Sequence, residues 1–230
     1  MNRYQAQARP LAAQTTSSAN DILWITYRWM SVGLGITGLV AWLVSQSPAA
    51  LEIFVGNHIV FYGLFFAQIG LVIAFSSVAA RASAATTAAM FFAYAALTGL
   101  TFSVLFLIYT SSSIASTFLV TGGTFAGLSV FGAVTKSDLS GVGRFAMFAL
   151  IGLIIASVVN FFLASSALLW VTTFAGILIF AALTAYDTQK LKALYAAGVG
   201  NNLALRGALI LYLDFVNMFL FLLRLFGRRK

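Results

Sequence analysis

Two apolar stretches near the end of the chain, Leu183-Thr-Ala-Tyr-Asp187-Thr-Gln-Lys190 and Leu211-Tyr-Leu-Asp214-Phe-Val-Asn217-Met-Phe219, each carry an aspartate. The surrounding sequence is otherwise compatible with the hydrocarbon core of a membrane. A charged side chain at the centre of a bilayer costs at least ~2.5 kcal/mol, so an aspartate there is a candidate functional group that faces protein, water or an ion. The fold and the function therefore depend on what Asp187 and Asp214 meet.

Composition places the whole chain in a membrane. Of its 230 residues 61% are hydrophobic and only 8% are charged, whereas a soluble domain has about 25% charged residues. The net charge of +8 comes from Lys and Arg that flank the apolar segments, where they set topology. We therefore expect the lipid bilayer as a partner, and no nucleic acid. The chain has no cysteine and one histidine, which excludes disulfides, thiolate chemistry and sites that need two imidazoles, and we expect no resident cofactor.

Seven apolar segments come close to the roughly 20 residues that a helix needs to cross the hydrocarbon. They cover residues 25–44, 56–80, 86–108, 114–134, 145–163, 167–186 and 207–226. We predict an all-α membrane protein, a seven-transmembrane-helix bundle over residues 23–230 that follows a polar cytoplasmic tail over residues 1–22. The first twenty residues lack the apolar core of a signal peptide, so we expect the first segment to insert uncleaved.

The cations predict the orientation. They occur in the tail and the start of the first segment, and after the second, fourth and sixth segments: Arg3, Arg9, Arg28, Arg81, Lys136, Arg144, Lys190, Lys192 and Arg206. Cytoplasmic loops carry such an excess, so we expect the N-terminus in the cytoplasm. Seven crossings then put the C-terminus outside, which conflicts with four cations after residue 223. A last segment that crosses only halfway is the alternative.

This orientation puts Asp187, Asp214 and Arg81 in the cytoplasmic half of the bundle. Two carboxylates that meet there repel each other and are desolvated, so we expect them to share one proton near neutral pH. The shared proton would tie the sixth helix to the seventh, with Arg81 neutralising the remaining charge. Loss of that proton would leave two repelling anions, which separate or recruit a cation. Calcium, which prefers oxygen ligands, is the metal ion that we predict at Asp187 and Asp214.

Other polar residues are weaker candidates. The pair has three polar neighbours that we expect to support it: Tyr186, Tyr212 and Asn217. Gln68 and Asn160 lie within apolar segments and are interpreted as interhelical hydrogen-bond partners. Three structural interpretations stay open: Asp187 as an interfacial residue balanced by Lys190, Asp214 as a hydrogen-bonding residue, and Arg81 as a topology-setting cation. Glu52 and His58 are interpreted as a solvated outer loop, with a cation-attracting mouth as the alternative.

Three motifs carry a family resemblance. Thr184-Ala-Tyr-Asp-Thr-Gln-Lys190, Leu211-Tyr-Leu-Asp-Phe-Val-Asn-Met-Phe219 and Leu222-Leu-Arg224 resemble the signature of the Bax inhibitor-1 family, the transmembrane Bax-inhibitor-motif proteins. The segment and loop pattern also resembles that of the bacterial inner-membrane members. The resemblance implies a seven-helix bundle with the last helix at its centre. It also implies a pH-sensitive calcium leak and, in eukaryotes, suppression of cell death.

The family's site residues carry over by position. The resemblance implies that Asp187 and Asp214 are the pH-sensing pair and that an arginine at the end of the second helix, placed at Arg81, helps to lock the closed state. Some members have a carboxylate in the second helix as a proposed calcium contact, where this chain offers only Gln68. The selectivity for calcium over other cations therefore stays open.

Three functions are compatible with these patterns. We predict a pH-sensitive calcium or other cation leak channel, or a channel-like membrane regulator, in the bacterial inner membrane. The alternative is a non-transporting protein that binds and modulates other membrane machinery, such as a quality-control protease, through its polar tail. A third hypothesis is an intramembrane aspartyl protease, which uses two aspartates on neighbouring helices. Asp214 lacks the Gly-x-Gly-Asp setting of those enzymes, so we predict that the chain is not an enzyme.

Overall fold

A computed structural model describes residues 3–198 and 202–230, with side chains from residue 19 onward. In order, the helices are α1 (Arg3–Ser45), α2 (Pro48–Leu51), a π-helical turn (Glu52–Gly56), α3 (His58–Val78), α4 (Ala84–Phe102), α5 (Leu105–Ile108), α6 (Ser111–Val134), α7 (Ser140–Leu163), α8 (Ser166–Ala196) and α9 (Leu203–Phe226). Seven of these helices are long and apolar enough to cross a membrane. The predicted seven-helix membrane bundle is confirmed.

Side-chain caps define where several helices begin. The Asn57 Oδ1 atom accepts a hydrogen bond from the Ile59 backbone N–H at 3.0 Å, at the start of α3. Ser83 caps α4 by accepting from the Thr86 N–H at 3.1 Å, and Ser165 caps α8 by accepting from the Leu168 N–H at 3.3 Å. Each cap satisfies a backbone donor that has no partner within its own helix.

The last helix lies at the centre of the bundle. It packs against α1, α4, α6 and α8, while α3 packs mainly on α4, and α7 mainly on α8. Leu211, Tyr212 and Met218 on α9 have no exposed surface. The central last helix that the family resemblance implies is confirmed. It packs directly against four of the other six crossings.

Large apolar side chains cover much of the outside of the bundle. Phe145 and Phe161 on α7 are 75% and 78% exposed, as suits side chains that face lipid. Buried hydroxyls bond mostly to their own helix: the Thr184 hydroxyl donates to the Phe180 carbonyl at 2.7 Å, and the Thr121 hydroxyl to the Thr117 carbonyl at 2.8 Å. Small, satisfied polar residues of this kind let membrane helices approach closely.

Loops that carry cations meet at one end of the bundle. The Asn202 Nδ2 atom donates to the carbonyl oxygens of Ala79 and Ala82 at 2.9 Å, which joins the start of α9 to the turn after α3. The Gln189 Nε2 atom donates to the Ser137 carbonyl at 2.8 Å, which joins α8 to the turn after α6. The connections after α3, α6 and α8, which the sequence assigned to one side, therefore lie together.

The C-terminus lies at the other end. The backbone N–H groups of Thr110 and Lys230 donate to the carbonyls of Arg228 and Ile108, both at 3.0 Å, so residues 228–230 pair with the connection between α5 and α6. The Arg228 N–H also donates to the Ser113 hydroxyl at 2.9 Å. Helix α9 thus runs from one end of the bundle to the other, which contradicts the alternative of a half-crossing last segment.

Two helices are longer than the sequence predicted. Helix α1 begins at Arg3, within the stretch expected to be a polar tail, and α8 continues to Ala196 instead of ending near residue 186. Leu191 and Tyr195, spaced four residues apart, are 4% and 2% exposed, so the extension of α8 keeps one apolar face on the core. Asp187 consequently lies about two and a half turns inside α8 and not at its end.

Candidate functional site

The two aspartates line one groove between α7, α8 and α9. The groove has a volume of about 720 Å³, and Asp187, Asp214 and Asn217 contribute polar groups to an otherwise largely apolar wall. Asp214 lies near the middle of α9, about three turns from either end. The structure therefore brings the aspartates of the two motifs to the same groove.

Asp214 is almost completely enclosed. It is 5% exposed, and its Oδ2 atom has no hydrogen-bond partner among the residues that the structure describes. The carboxylate of Asp187 on α8 lies close enough to interact with it directly. A buried carboxylate without a compensating partner is costly. The arrangement is therefore suited to holding a proton between the two carboxyl groups, or a cation beside them.

Lys190 follows Asp187 by one turn on α8, close enough for its charge to act on Asp187. The Lys190 Nζ atom also lies 5.6 Å from the centre of the Tyr186 ring. Arg81, in the turn between α3 and α4, is exposed and does not line the groove. The interpretation of Lys190 as the balancing charge for Asp187 gains support, while the gating role of Arg81 stays a prediction.

Tyr212 joins α9 to α1. Its hydroxyl lies 2.6 Å from the Thr37 hydroxyl, and its ring packs edge-on against Phe91 and Tyr94 with centroids 5.8 Å apart. Thr37 can donate its own hydroxyl proton to the Ala95 carbonyl at 2.9 Å, so Tyr212 is the natural donor to Thr37. Tyr212 does not line the groove of the aspartates. Any support that Tyr212 gives the pair must therefore come through fixing α9, and this role stays a prediction.

We expect Tyr212→Phe to lower the stability of the bundle by about 1–2 kcal/mol, because the Thr37 hydroxyl loses a buried hydrogen-bond partner. Thermal unfolding in detergent, followed by circular dichroism, measures the effect. Tyr62→Phe is the control, since Tyr62 is 53% exposed. Equal unfolding temperatures for the two variants would contradict this role.

Three further predicted polar residues have identified hydrogen-bond partners. Asn217 lines the groove, and its Nδ2 atom donates to the Leu213 carbonyl at 2.8 Å. Gln68 bonds to α4, accepting from the Thr98 hydroxyl at 3.3 Å, which confirms its interpretation as an interhelical partner. Asn160 was interpreted in the same way, and its bond joins the end of α7 to Ser165, the residue that caps α8. Its Oδ1 atom accepts from the Ser165 N–H at 3.0 Å, because Asn160 lies one turn before the end of α7, where free carbonyls and amides need partners.

Few further metal ligands are available. Within residues 3–198 and 202–230, no group of three or more His, Cys, Asp or Glu side chains gathers in one place. The groove offers the carboxylates of Asp187 and Asp214 and the amide oxygen of Asn217, fewer than the six to eight oxygens that calcium takes. Water would have to complete the shell of a calcium ion there. Glu52 and His58 are exposed at the opposite end from Asn202, as expected for a solvated loop.

Asp138, in the turn before α7, differs from the buried pair. Hydrogen bonds from the hydroxyl and the backbone N–H of Ser140 hold the pKa of Asp138 below its usual range. Asp138 therefore stays ionised across neutral pH and cannot be the source of a pH response there. It provides a matched control for substitutions in the pair.

Sequence patterns did not reveal Asn202 and Gln189. Both side chains bond to backbone groups of loops that are distant in sequence. An amide residue in a polar loop has no distinguishing neighbours in the sequence. The left-handed backbone of Asn202, with φ of 56°, is the one local feature that favours asparagine there.

The fold and the site define a class: a seven-helix membrane protein whose two last crossings hold an aspartate pair. The family described as inhibitor of apoptosis-promoting Bax1 matches residues 19–230. The chain belongs to this Bax inhibitor-1 family, which confirms the resemblance.

Three relatives show how widely the similarity extends. The inner membrane protein YbhL of Escherichia coli (strain K12) is 49% identical over 210 residues, covering 89% of this chain and 90% of YbhL. A protein of Deinococcus radiodurans is 46% identical over 208 residues, covering 89% of each chain. An uncharacterized membrane protein of Streptococcus pyogenes serotype M3 is 34% identical over 221 residues, covering 94% of this chain and 96% of that protein.

Proposed function

We propose that this protein is a pH-sensitive cation leak channel, or a channel-like regulator, gated by Asp187 and Asp214. The observation that carries the proposal is the groove that both carboxylates line, with the Asp214 Oδ2 atom buried and without a partner among the described residues. A buried oxygen without a hydrogen-bond partner destabilises the fold, and a hydrophobic residue could take its place in a membrane helix. Its presence therefore favours a functional role.

The first step of the proposed mechanism is a proton between the two carboxyl groups. Like-charge repulsion and burial both disfavour the doubly ionised pair, so the two groups titrate together. With one proton shared, α8 and α9 are tied at the level of the groove. When that proton leaves at higher pH, the pair repels and α8 and α9 separate on this side.

The second step is the entry of a cation. The doubly ionised pair and the amide oxygen of Asn217 present oxygen atoms in a low-dielectric groove, where they attract a divalent ion more strongly than in water. Calcium is the proposed cargo, although three protein ligands would also serve other cations. In this scheme Arg81 assists closure from the end of α3, as the family resemblance implies.

The proposed location is the bacterial inner membrane, with the N-terminus in the cytoplasm. Two observations support it. The relative YbhL is named an inner membrane protein, and the connections that carry Arg81 and Lys136 lie at one end of the bundle. An excess of cations is typical of the cytoplasmic side. We propose no enzymatic reaction at the pair.

Calcium influx into liposomes that contain the purified protein tests the proposal, with a calcium-sensitive dye inside. We expect influx to rise from acidic to mildly alkaline pH, by up to about tenfold per pH unit for a step that releases one proton. Empty liposomes and Asp138→Asn protein are the controls, and Asp138→Asn should respond to pH as the unchanged protein does. Folded protein that passes no calcium at any pH would contradict the proposal and favour the interaction role.

A further inference from the structure

A second groove lies away from the aspartates, between α1 and α6 with Phe215 of α9 in its wall. Its volume is about 760 Å³, and its lining is mainly apolar, including Leu23, Met30, Leu34 and Phe118. A site for a small amphiphilic molecule has this character: concave, mostly apolar, with a few polar groups. Nothing in the proposed gating mechanism uses this groove.

Two buried hydroxyls in the groove have no partner. The Tyr27 hydroxyl on α1 and the Ser129 hydroxyl on α6 are both enclosed, and neither has a hydrogen bond within the described part of the chain. Ser129 is only 5% exposed. Each hydroxyl has a proton to donate, and leaving it unbonded in an apolar wall costs about 1–3 kcal/mol. An acceptor oxygen on an otherwise apolar ligand would supply the missing partner.

One end of the groove has a positive charge. The Lys192 Nζ atom donates to the Ala133 carbonyl at 2.8 Å, at the C-terminal end of α6, and Ala133 lines the groove. Ser129 lies one turn deeper than Ala133, about 6 Å along the helix. This separation is similar to that between the phosphate and the ester carbonyls of a glycerophospholipid.

The length of the groove also fits a lipid chain. Along α1 it extends from Asn20 to Gly35, about 22 Å of helix, whereas the hydrocarbon core of a bilayer is about 30 Å thick. Small residues keep it open. A side-chain carbon at Gly35 or Gly122 would meet no atom of a neighbouring element within 4 Å.

We propose that this groove binds one acyl chain of a membrane glycerophospholipid. The ester carbonyl oxygens accept hydrogen bonds from Tyr27 and Ser129, the phosphate lies beside Lys192, and the chain runs inward past Gly122 toward Phe118. A lipid held in this way completes the packing between α1 and α6 and satisfies both hydroxyls.

The test uses the full-length protein in nanodiscs that contain phosphatidylglycerol with a photoactivatable group near the end of one acyl chain. After illumination, mass spectrometry of the peptides locates the label. We expect labelling to concentrate around Leu34 and Phe118, where the end of the chain lies, and Gly122→Leu to remove most of it by filling the groove. Gly123→Leu is the matched control: it is the next residue, its side chain also enters open space, and it does not line the groove.

A second variant guards against a change of packing in Gly122→Leu. Ser129→Ala leaves the groove open but removes one donor, so we expect the unchanged protein to retain the lipid about fivefold more tightly during detergent exchange. Labelling that is spread evenly over lipid-facing surfaces such as Phe161 would mean ordinary surface lipid only and would overturn the proposal. Equal labelling of Gly122→Leu and Gly123→Leu protein would overturn it as well.

Discussion

Asp214→Asn is expected to hold calcium influx at its acidic-pH level across the whole pH range. An asparagine amide at this position can donate a hydrogen bond to the Asp187 carboxylate at any pH, which is what the shared proton does only while it is bound. The step of up to about tenfold per pH unit expected for the unchanged protein should therefore disappear. The same liposome assay measures it, with the pH varied in small steps.

Asp187→Asn should have the same effect, because a proton shared by two groups needs both of them. Asp138→Asn separates this effect from a general change of charge, since Asp138 lies in an exposed turn and stays ionised at neutral pH. If both pair variants kept the full pH response, the pair could not be the sensor. If calcium influx through the unchanged protein fell as the pH rose, the pair could still be the sensor, but opening by repulsion would be contradicted.

Gly132→Val is expected to have the largest effect on stability. A side-chain carbon at Gly132 on α6 would meet the backbone carbonyl of Ala185 on α8, and backbone atoms cannot move aside as a flexible side chain can. Overpacking of this kind costs about 1–3 kcal/mol, so the unfolding temperature should fall by about 2–12 °C. Thermal unfolding in detergent measures this.

Gly127→Val is the matched control for Gly132→Val. It lies on the same helix and introduces the same β-branched side chain, but into open space. The two variants therefore differ only in the contact with Ala185, which lies two residues before Asp187. Equal unfolding temperatures would show that α6 and α8 are not packed as closely as described.

Much of the fold follows from the sequence because hydropathy identifies membrane crossings well. All seven crossings overlap the predicted segments, since each needs about 20 apolar residues whatever it packs against. The C-terminal end of α8 was not predictable in this way. Lys190 and Lys192 end the hydrophobic segment, but Leu191 and Tyr195 keep the helix on the core, and only the packing shows that.

The aspartate pair was predictable from the sequence because carboxylates are rare in apolar segments. Its exact surroundings were not. The sequence suggested Arg81 as the partner cation, whereas the structure places Lys190 near Asp187 and leaves Arg81 exposed outside the groove. The hydrogen bond from Asn202 reaches a backbone carbonyl more than one hundred residues away in the sequence. No local sequence pattern encodes such contacts.

For the C-terminal cations, the charge rule and the number of crossings predict opposite ends of the bundle. Arg228, Arg229 and Lys230 belong on the cytoplasmic side by charge, yet seven crossings put them on the other side. The backbone pairing of residues 228–230 with the connection between α5 and α6 accounts for their position. The Lys230 Nζ atom also donates to the Phe106 carbonyl at 2.6 Å. Local hydrogen bonds thus hold a basic terminus at the end opposite the other cation-bearing loops.

Infrared difference spectroscopy of the reconstituted protein tests the central claim, the shared proton, most directly. The C=O stretch of a protonated carboxyl group should disappear over the same pH interval in which calcium influx rises. This pH-dependent loss of signal should be absent in Asp187→Asn and Asp214→Asn protein. In Asp138→Asn protein it should be the same as in the unchanged protein. A protonated-carboxyl signal that does not change across the interval of the flux step, or that persists in both pair variants, would contradict the account.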